Sequence, residues 1–105
     1  MKRSMDAYLE GERKTEPWSL QLYVLNQDPK SVRALENVIR ICEERIPGRY
    51  TLEVVDLAVN PQLAKTDQIV ALPTLVKKLP KPGKRIIGDF SDADRVLAGL
   101  GIFQA

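Results

Sequence analysis

The spacing of apolar residues changes period several times along this chain. Leu20, Leu22 and Val24 alternate with other side chains and run into turn residues, so residues 18–25 are predicted to form a strand. Residues 50–57 are rich in β-branched and apolar side chains and are predicted to form a second strand. A helix between the two strands would make them a parallel pair with a right-handed crossover.

The connecting helix has its own start and stop signals. Asp28 is predicted to cap it through its carboxylate, and Pro29 suits the first helical position, where no N–H is needed. Pro47 and Gly48 are expected to end it. Between these ends, apolar residues recur three and four positions apart, which predicts one stripe facing the core. The stripe consists of Val32, Leu35, Val38, Ile39, Cys42 and Ile46.

Two further helices are predicted in the second half of the chain. Asn60-Pro61 repeats the combination of a capping residue and a proline, and introduces a short helix over about residues 61–65. Ser91 is a suitable N-cap for a last helix. Gly99 and Gly101 weaken that helix by about 1 kcal/mol each, relative to alanine, if both are interior. Its apolar face consists of Val96, Leu97 and Leu100.

A hairpin is predicted between the short helix and the last helix. Residues 67–71 suit either a helical turn or a loop, and two strands follow at residues 75–79 and 84–90. The linker Pro80-Lys81-Pro82-Gly83 places Pro-Gly where a type II turn would need it, so the strands are expected to be antiparallel. The predicted order is βαβαββα, an α/β fold with a four-stranded mixed sheet and helices on both faces.

The length and composition set the outer limits of the fold and its partners. At 105 residues the chain has room for one small domain, at 17–105. Residues 1–16 are mostly polar, with Met5, Tyr8 and Leu9 as the larger apolar side chains after Met1, and are expected to be a flexible extension. A net charge of +2 gives no argument for nucleic acid. No apolar run approaches the ~20 residues of a membrane span and no signal-peptide core is present, which makes the cytoplasm the expected compartment.

The residue types exclude several chemistries and leave two clusters to interpret. One cysteine and no histidine rule out an internal disulfide, a Cys/His zinc site and histidine-based catalysis. Cys42 lies far from the helix N-terminus that would activate a thiol, so it is predicted to be buried and structural. Asp89, Asp92 and Asp94 are better explained as acids at the start of a helix than as metal ligands, and no cofactor is expected. A basic group surrounds the hairpin turn, as a solvated tip or as a docking surface for an acidic partner. It consists of Lys77, Lys78, Lys81, Lys84 and Arg85.

A proline opens the third predicted strand, in Leu72-Pro73-Thr74-Leu75. A strand that begins with proline, turns back and runs into a helix resembles the second half of a thioredoxin-like domain, in which a cis proline faces two redox cysteines. At the position of those cysteines this chain reads Gln27-Asp28-Pro29-Lys30. The resemblance therefore implies the scaffold without its thiol chemistry, and a binding protein rather than an enzyme.

Four short motifs, in order and with similar spacing, resemble the circadian-clock KaiB family. They are Ser31-Val32-Arg33-Ala34-Leu35, Asn60-Pro61-Gln62-Leu63-Ala64, Pro73-Thr74-Leu75 and Arg85-Ile86-Ile87-Gly88-Asp89. The resemblance covers about residues 18–103 and is more specific than any single motif. It implies a non-catalytic adaptor that docks on the hexameric ATPase KaiC and helps to sequester KaiA, so that KaiC is dephosphorylated.

Family membership also implies two folds. KaiB-like proteins switch between a ground state with the order βαββααβ, usually tetrameric, and a thioredoxin-like monomer that binds KaiC. The candidate switch residues are Pro73, Gly99, Gly101 and Gln104. Clock members tend to have Asp and Tyr where this chain has Gly101 and Gln104. We therefore expect the thioredoxin-like form to be favoured here, with the ground-state fold as the alternative.

The resemblance carries candidate binding residues onto two parts of the chain. Lys65, Asp67, Gln68 and Ala71 match the family's KaiC-docking segment, although clock members usually have lysine at the position of Gln68. The basic positions implicated in the KaiA-containing assembly are Arg33, Lys84 and Arg85.

Three other functions stay open at the level of sequence. In the first, the chain is a KaiB paralogue that acts in stress response without KaiC. In the second, it is a thiol oxidoreductase or peroxidase on a thioredoxin scaffold. In the third, it acts together with a histidine kinase. The missing cysteine pair argues against the oxidoreductase. Some histidine kinases have a related thioredoxin-like sensor domain, and this chain would have to bind such a kinase in trans.

Overall fold

The computed structural model describes residues 17–26 and 28–102, and within them the predicted order βαβαββα is confirmed. The elements are β1 (Trp18–Val24), α1 (Pro29–Arg45), β2 (Tyr50–Asp56), α2 (Gln62–Thr66), β3 (Thr74–Leu79), β4 (Lys84–Ile87) and α3 (Ala93–Leu100). The extension predicted at residues 1–16 lies outside the described residues, as does Gln104.

The four strands form one mixed sheet in the order β2-β1-β3-β4. β1 and β2 are parallel, with Trp18 opposite Tyr50 and Val24 opposite Asp56. β3 is antiparallel to both β1 and β4, and Val76 lies opposite Arg85. β2 and β4 are therefore the two edges of the sheet.

Two apolar clusters lie on opposite faces of this sheet. On one face α1 and α3 cover the larger cluster, to which Leu20, Leu22 and Val24 all contribute. On the other face the short α2 and the segment after it cover a smaller cluster around Tyr23 and Val76. The alternation in β1 thus divides its side chains between the two faces, as the period of a strand requires.

The helix starts differ in detail from the prediction. Asp28 does precede α1 and Pro29 opens it, but the exposed Asp28 side chain makes no capping hydrogen bond. Ser91 does not cap α3. Its N–H instead donates to Asp89 (3.1 Å), and the Asp92 carboxylate accepts the Arg95 N–H (3.2 Å), so Asp92 is the N-cap.

The apolar stripe of α1 is rotated relative to the prediction. Val38, Cys42 and Ile46 are buried as expected, whereas Val32 and Ile39 are 42% and 41% exposed. The buried face is completed by Ser31, Ala34 and Ile41. The reason is the sheet order, since α1 packs over the centre of the sheet and leaves the side of the helix beyond β2 uncovered.

The hairpin is confirmed, but β4 is shorter than predicted and the turn is different. β4 ends at Ile87 because Gly88 has φ 140°, which breaks the extended conformation, and Phe90 is buried with φ 64°. Gly83 does not have the positive φ that a type II turn requires at its third position, so the predicted Pro-Gly turn is wrong. The Leu72–Pro73, Leu79–Pro80 and Lys81–Pro82 peptide bonds are cis.

The glycines near the end of α3 have separate roles. Gly99 is in the helix, where an added Cβ would lie 2.8 Å from Ile86 Cδ1, so its lack of a side chain permits close packing on β4. Gly101 is the C-cap in the left-handed region, φ 81°. Glycine is favoured at such a position, so Gly101 does not weaken the helix as the sequence prediction assumed.

Candidate docking surface

The four residues carried over as the KaiC-docking segment lie together at the end of α2 and in the loop after it. Lys65 is exposed in the last turn of α2, Asp67 ends the helix, and Gln68 has φ 57°. Ala71 lies just before β3, and its carbonyl accepts the Thr74 hydroxyl at 2.6 Å. We refer to residues 65–71 as the α2 loop. Its first two residues, Lys65 and Thr66, belong to α2, and the rest is irregular backbone that leads to β3.

Arg85 on β4 holds this loop from the neighbouring edge of the sheet. Its guanidinium donates two hydrogen bonds to backbone carbonyls, Nη1 to Gln68 (2.6 Å) and Nη2 to Asp67 (2.8 Å). Arg85 lies opposite Val76, which belongs to the cluster on the α2 face, so its side chain is on the correct face to reach the loop. The planar guanidinium can bind two adjacent acceptors at once, which a lysine ammonium does less well.

Tyr23 supports the same loop from beneath. Its side chain is buried in β1 and its hydroxyl donates to the Asp67 carboxylate. Burial, together with the nearby Asp67 carboxylate, raises the pKa of Tyr23 to about 12, so the hydroxyl stays a donor throughout the neutral range. Tyr23 and Arg85 therefore hold Asp67 by its side chain and by its carbonyl respectively.

The three basic residues assigned to a KaiA assembly do not form one group. Arg33 is on α1 and forms an ion pair with Asp89 at 3.8 Å. Lys84 lies opposite Lys77 and shares the α3 face of the sheet, whereas Arg85 points to the other face. The structure thus places Arg85 with the α2 loop, and Arg33 and Lys84 on the side of α1 and α3.

Comparison of the sequence with known proteins identifies the family of this chain. The KaiB domain matches residues 21–102. The circadian clock oscillator protein KaiB of Microcystis aeruginosa is 52% identical over 79% of this chain and 80% of that protein. The protein of the same name from Synechococcus elongatus is 51% identical over 86% of each chain. This chain belongs to the KaiB family.

Solved structures confirm the thioredoxin-like fold of this KaiB-family chain. The N-terminal domain of Synechococcus elongatus SasA is 29% identical with a TM-score of 0.59, over 85% of this chain and 88% of that one. Chloroplastic thioredoxin z has a TM-score of 0.66 at 21% identity, over 93% and 88% of the two chains, and shows the fold alone. Within the described residues no helix is long and apolar enough to cross a membrane.

The thiol of this family member is deeply enclosed. Cys42 is buried on α1, and that burial, with the neighbouring Glu43, raises its pKa to about 12. At neutral pH the group is a protonated thiol, which is a poor nucleophile. The predicted buried cysteine is confirmed. In the part of the chain that the structure describes, no group of acidic, cysteine or histidine side chains is arranged to hold a metal ion.

One member of the basic group at the hairpin is not at a solvated tip. Lys77 is only 5% exposed, and its ammonium donates to the Leu100 carbonyl (2.9 Å) and lies 5.2 Å from the centre of the Trp18 ring. Burial and the nearby Lys84 lower its pKa. The interpretation of the basic group as a solvated hairpin tip is therefore wrong for Lys77, because this residue of β3 lies on the face of the sheet that α3 covers. Lys78, Lys81, Lys84 and Arg85 are exposed as that reading assumed.

Sequence reasoning missed how the candidate site is supported. Tyr23 is one of the residues that alternate with Leu20, Leu22 and Val24, and the sequence analysis gave it no role; in the structure it is buried and its hydroxyl donates to the Asp67 carboxylate. Arg85 was recognised as a basic position of the family, but its contact with the α2 loop, 17 and 18 residues earlier in the chain, requires the sheet order. No local sequence pattern carries that information.

Proposed function

We propose that this chain is a non-catalytic cytoplasmic adaptor that docks on a KaiC-type hexameric ATPase and regulates its phosphorylation state in circadian timing. The observation that carries the proposal is the α2 loop, which a KaiB-family chain holds in one conformation through Arg85 and Tyr23. A loop ordered in advance loses less conformational entropy on binding, and that favours a role in recognition.

Within the loop, Lys65 and Gln68 supply exposed side chains for the partner. Asp67 has a different part in the proposal, since its carboxylate and its carbonyl are already engaged by Tyr23 and Arg85. We assign it to shaping the surface, with Ala71 as a small residue at its edge. The loop lies beside β4, so the side of Arg85 that faces solvent extends the same surface.

For a KaiA-containing assembly we propose two of the three basic residues that the family resemblance implied. Arg33 and Lys84 are exposed on the side of α1 and α3, and we propose them as contacts for KaiA or another acidic partner. Arg85 would act through the α2 loop instead, because its donors are committed to the loop carbonyls.

The binding-competent state in this proposal is the thioredoxin-like monomer. Gly99 and Gly101 fit that form, one by allowing close packing on Ile86 and the other by capping α3. Pro73 immediately precedes β3 in the same form, and Gln104 lies outside the described residues. Amide chemical shifts test the assignment. Strand shifts over Thr74–Leu79 are expected. Helical shifts there would support the ground-state fold, which in this family is usually tetrameric.

Size-exclusion chromatography with the KaiC hexamer of the same organism and ATP tests docking. The wild-type chain is expected to co-elute with the hexamer after long incubation. Lys65→Ala and Gln68→Ala are expected to weaken co-elution. Lys81→Ala, which like Lys65→Ala removes an exposed positive charge but does so at the hairpin, should not. Separate elution of a folded wild-type chain would refute KaiC docking and favour a paralogue acting in stress response without KaiC.

A second candidate rests on the family resemblance, which includes the thioredoxin-like sensor domain of some histidine kinases: a role with such a kinase, which the chain would bind in trans. Pull-down of such a kinase, with no KaiC retained, would favour it. A thiol oxidoreductase is disfavoured by the burial and raised pKa of Cys42, and turnover in a thiol–disulfide assay would revive it.

A further inference from the structure

A hollow of about 210 Å³ lies beside the α2 loop, on the same face of the sheet. Asp67 and Gln68 line it from the loop, and Val76, Lys78 and Arg85 line it from β3 and β4. We refer to it as the Lys78 hollow. Because two of its lining residues belong to the candidate docking segment, a protein that docks on the α2 loop also covers this hollow.

Lys78 is the extra residue of a bulge in β3. Leu20 of β1 pairs with Lys77. Its neighbour Ser19 pairs with Leu79, which leaves Lys78 without a counterpart on β1. A bulge interrupts the regular pairing of two strands and sets the direction of the side chain at that point. The exposed Lys78 side chain lines the hollow, on the face opposite to the buried Lys77.

The charge of Lys78 has no partner in the part of the chain that the structure describes, where neither a hydrogen bond nor an ion pair engages its ammonium. Arg85 is engaged by the Asp67 and Gln68 carbonyls, but these acceptors are neutral and do not cancel its charge. The Asp67 carboxylate accepts the Tyr23 hydroxyl beneath the loop. The lining of the hollow therefore holds two positive charges and one negative charge.

The surface next to the hollow is also positive. A second hollow of about 440 Å³ continues from Val76, Lys78 and Arg85 to the hairpin turn, where Lys81 and Lys84 line it. Among the described residues that line this second hollow, none is acidic. Charges of one sign that line a cleft raise the local concentration of ligands of the opposite sign. The two hollows together therefore favour an anionic occupant.

The groups at this hollow suit a carboxylate of a protein better than the phosphates of a nucleic acid. The guanidinium fork of Arg85, which binds phosphate with two donors where it is free, is committed to the loop carbonyls. Tyr23, the aromatic residue of the hollow, is buried, so the hollow offers no exposed ring on which a base could stack. Lys78 supplies a compact positive charge with three donors, which one carboxylate can satisfy.

We propose that the Lys78 hollow takes the carboxylate of an acidic side chain from the protein that docks on the α2 loop. The Lys78 ammonium donates to this carboxylate, and Arg85 adds positive charge from the neighbouring strand. The inference rests on the proposed function in one respect, that a protein covers the loop, and it adds the chemistry of the segment that this protein presents. Lys78 is then a specificity-determining residue outside the docking segment that the family resemblance implied.

Amide chemical shifts of the full-length chain, titrated with an end-capped hexaglutamate peptide at low salt, test the subsite without KaiC. The Val76 and Lys78 amides are expected to shift, and a hexaglutamine peptide should leave them unchanged. Lys78→Gln is expected to weaken hexaglutamate binding about fivefold, as for an exposed ion pair. Lys81→Gln, which removes an exposed positive charge at the turn, should change the affinity little. Shifts confined to residues 81–84, or equal weakening in both variants, would overturn the proposal.

Two further titrations identify the kind of anion that the hollow takes. Inorganic phosphate and a single-stranded thymidine hexanucleotide are added at the same ionic strength as the peptide. Both are expected to shift the Val76 and Lys78 amides less than hexaglutamate does. Shifts as large as those of hexaglutamate, with either anion, would overturn the assignment to an acidic protein segment.

The KaiC hexamer separates this inference from KaiC docking itself. Lys78→Gln is expected to weaken binding of KaiC about fivefold, with Lys78→Arg close to wild type. Equal affinity of KaiC for the wild-type chain and Lys78→Glu would overturn the carboxylate contact and leave docking intact. If the wild-type chain does not bind KaiC, the proposed function fails, and the hexaglutamate titration alone supports or overturns the subsite.

Discussion

Replacing Arg85 with alanine removes both hydrogen bonds from β4 to the α2 loop. A hydrogen bond within a protein contributes a net stabilisation of roughly 0.5–1.5 kcal/mol. Arg85 is exposed, so solvent screens the interaction and we take the lower half, about 0.7 kcal/mol for each bond. The pair then amounts to about 1.4 kcal/mol, a factor of about ten in the equilibrium between the closed and the open loop.

Amide hydrogen exchange measures that equilibrium directly. The Ile69 N–H donates to the Ala64 carbonyl at 2.7 Å and reports on opening of the loop. In Arg85→Ala its exchange is expected to accelerate about tenfold, with the core amides of Leu22 and Leu75 nearly unchanged. Arg85→Lys should accelerate it almost as much, because an ammonium does not reproduce the planar two-donor geometry.

Lys84→Ala is the matched control for this experiment. It removes one positive charge from the adjacent residue of the same strand, but its side chain lies on the other face of the sheet. The Ile69 amide should exchange at the wild-type rate in this variant. Equal acceleration in Lys84→Ala, or an unchanged rate in Arg85→Ala, would show that the loop does not depend on the Arg85 contacts.

Three further predictions concern the burial of Cys42 and Tyr23 and the two caps of α3. The pKa values of Cys42 and Tyr23 are raised from 9.0 and 10.0 to about 12, so the unfolded state loses these protons first and the free energy of unfolding should fall as pH rises from 9.0 towards about 12. Urea titrations across that pH range measure the free energy of unfolding, and a value that does not change with pH would contradict the burial of Cys42 and Tyr23. Asp92→Ala should lower the free energy of unfolding by about 1 kcal/mol while Ser91→Ala changes it little; the reverse order would restore Ser91 as the cap. Gly101→Ala should cost about 1 kcal/mol in the same titration, because alanine is strained at φ 81°, and a neutral result would argue against the left-handed cap.

The order of elements could be predicted because its signals are local. Alternation in β1, the helical spacing in α1 and the proline-rich linker between β3 and β4 each determine one element through a single stretch of sequence. The same local signals predicted the parallel β1–β2 pair and the antiparallel β3–β4 hairpin, whereas the order of the strands across the sheet, β2-β1-β3-β4, was not predicted. The details that failed, the carboxylate of Asp28 and the type II turn at Gly83, depend on single side-chain and backbone conformations.

The candidate site was less predictable because its contacts join distant parts of the chain. Asp67 and Tyr23 are 44 residues apart in sequence, yet they share a hydrogen bond because β1 lies under the α2 loop. Ile39 fits an apolar helical stripe as well as Val38 does, and only the position of β2 at the edge of the sheet leaves it exposed. Lys77 likewise resembles its exposed neighbours in sequence, and it differs from them because α3 covers it.

Hydrogen exchange of the chain with and without the KaiC hexamer, in the presence of ATP, tests the central claim most directly. We expect the complex to slow amide exchange across residues 65–71 and at the adjoining end of β4, with the amides of α1 unchanged. A complex that leaves residues 65–71 unprotected and slows exchange only elsewhere would contradict docking through the α2 loop.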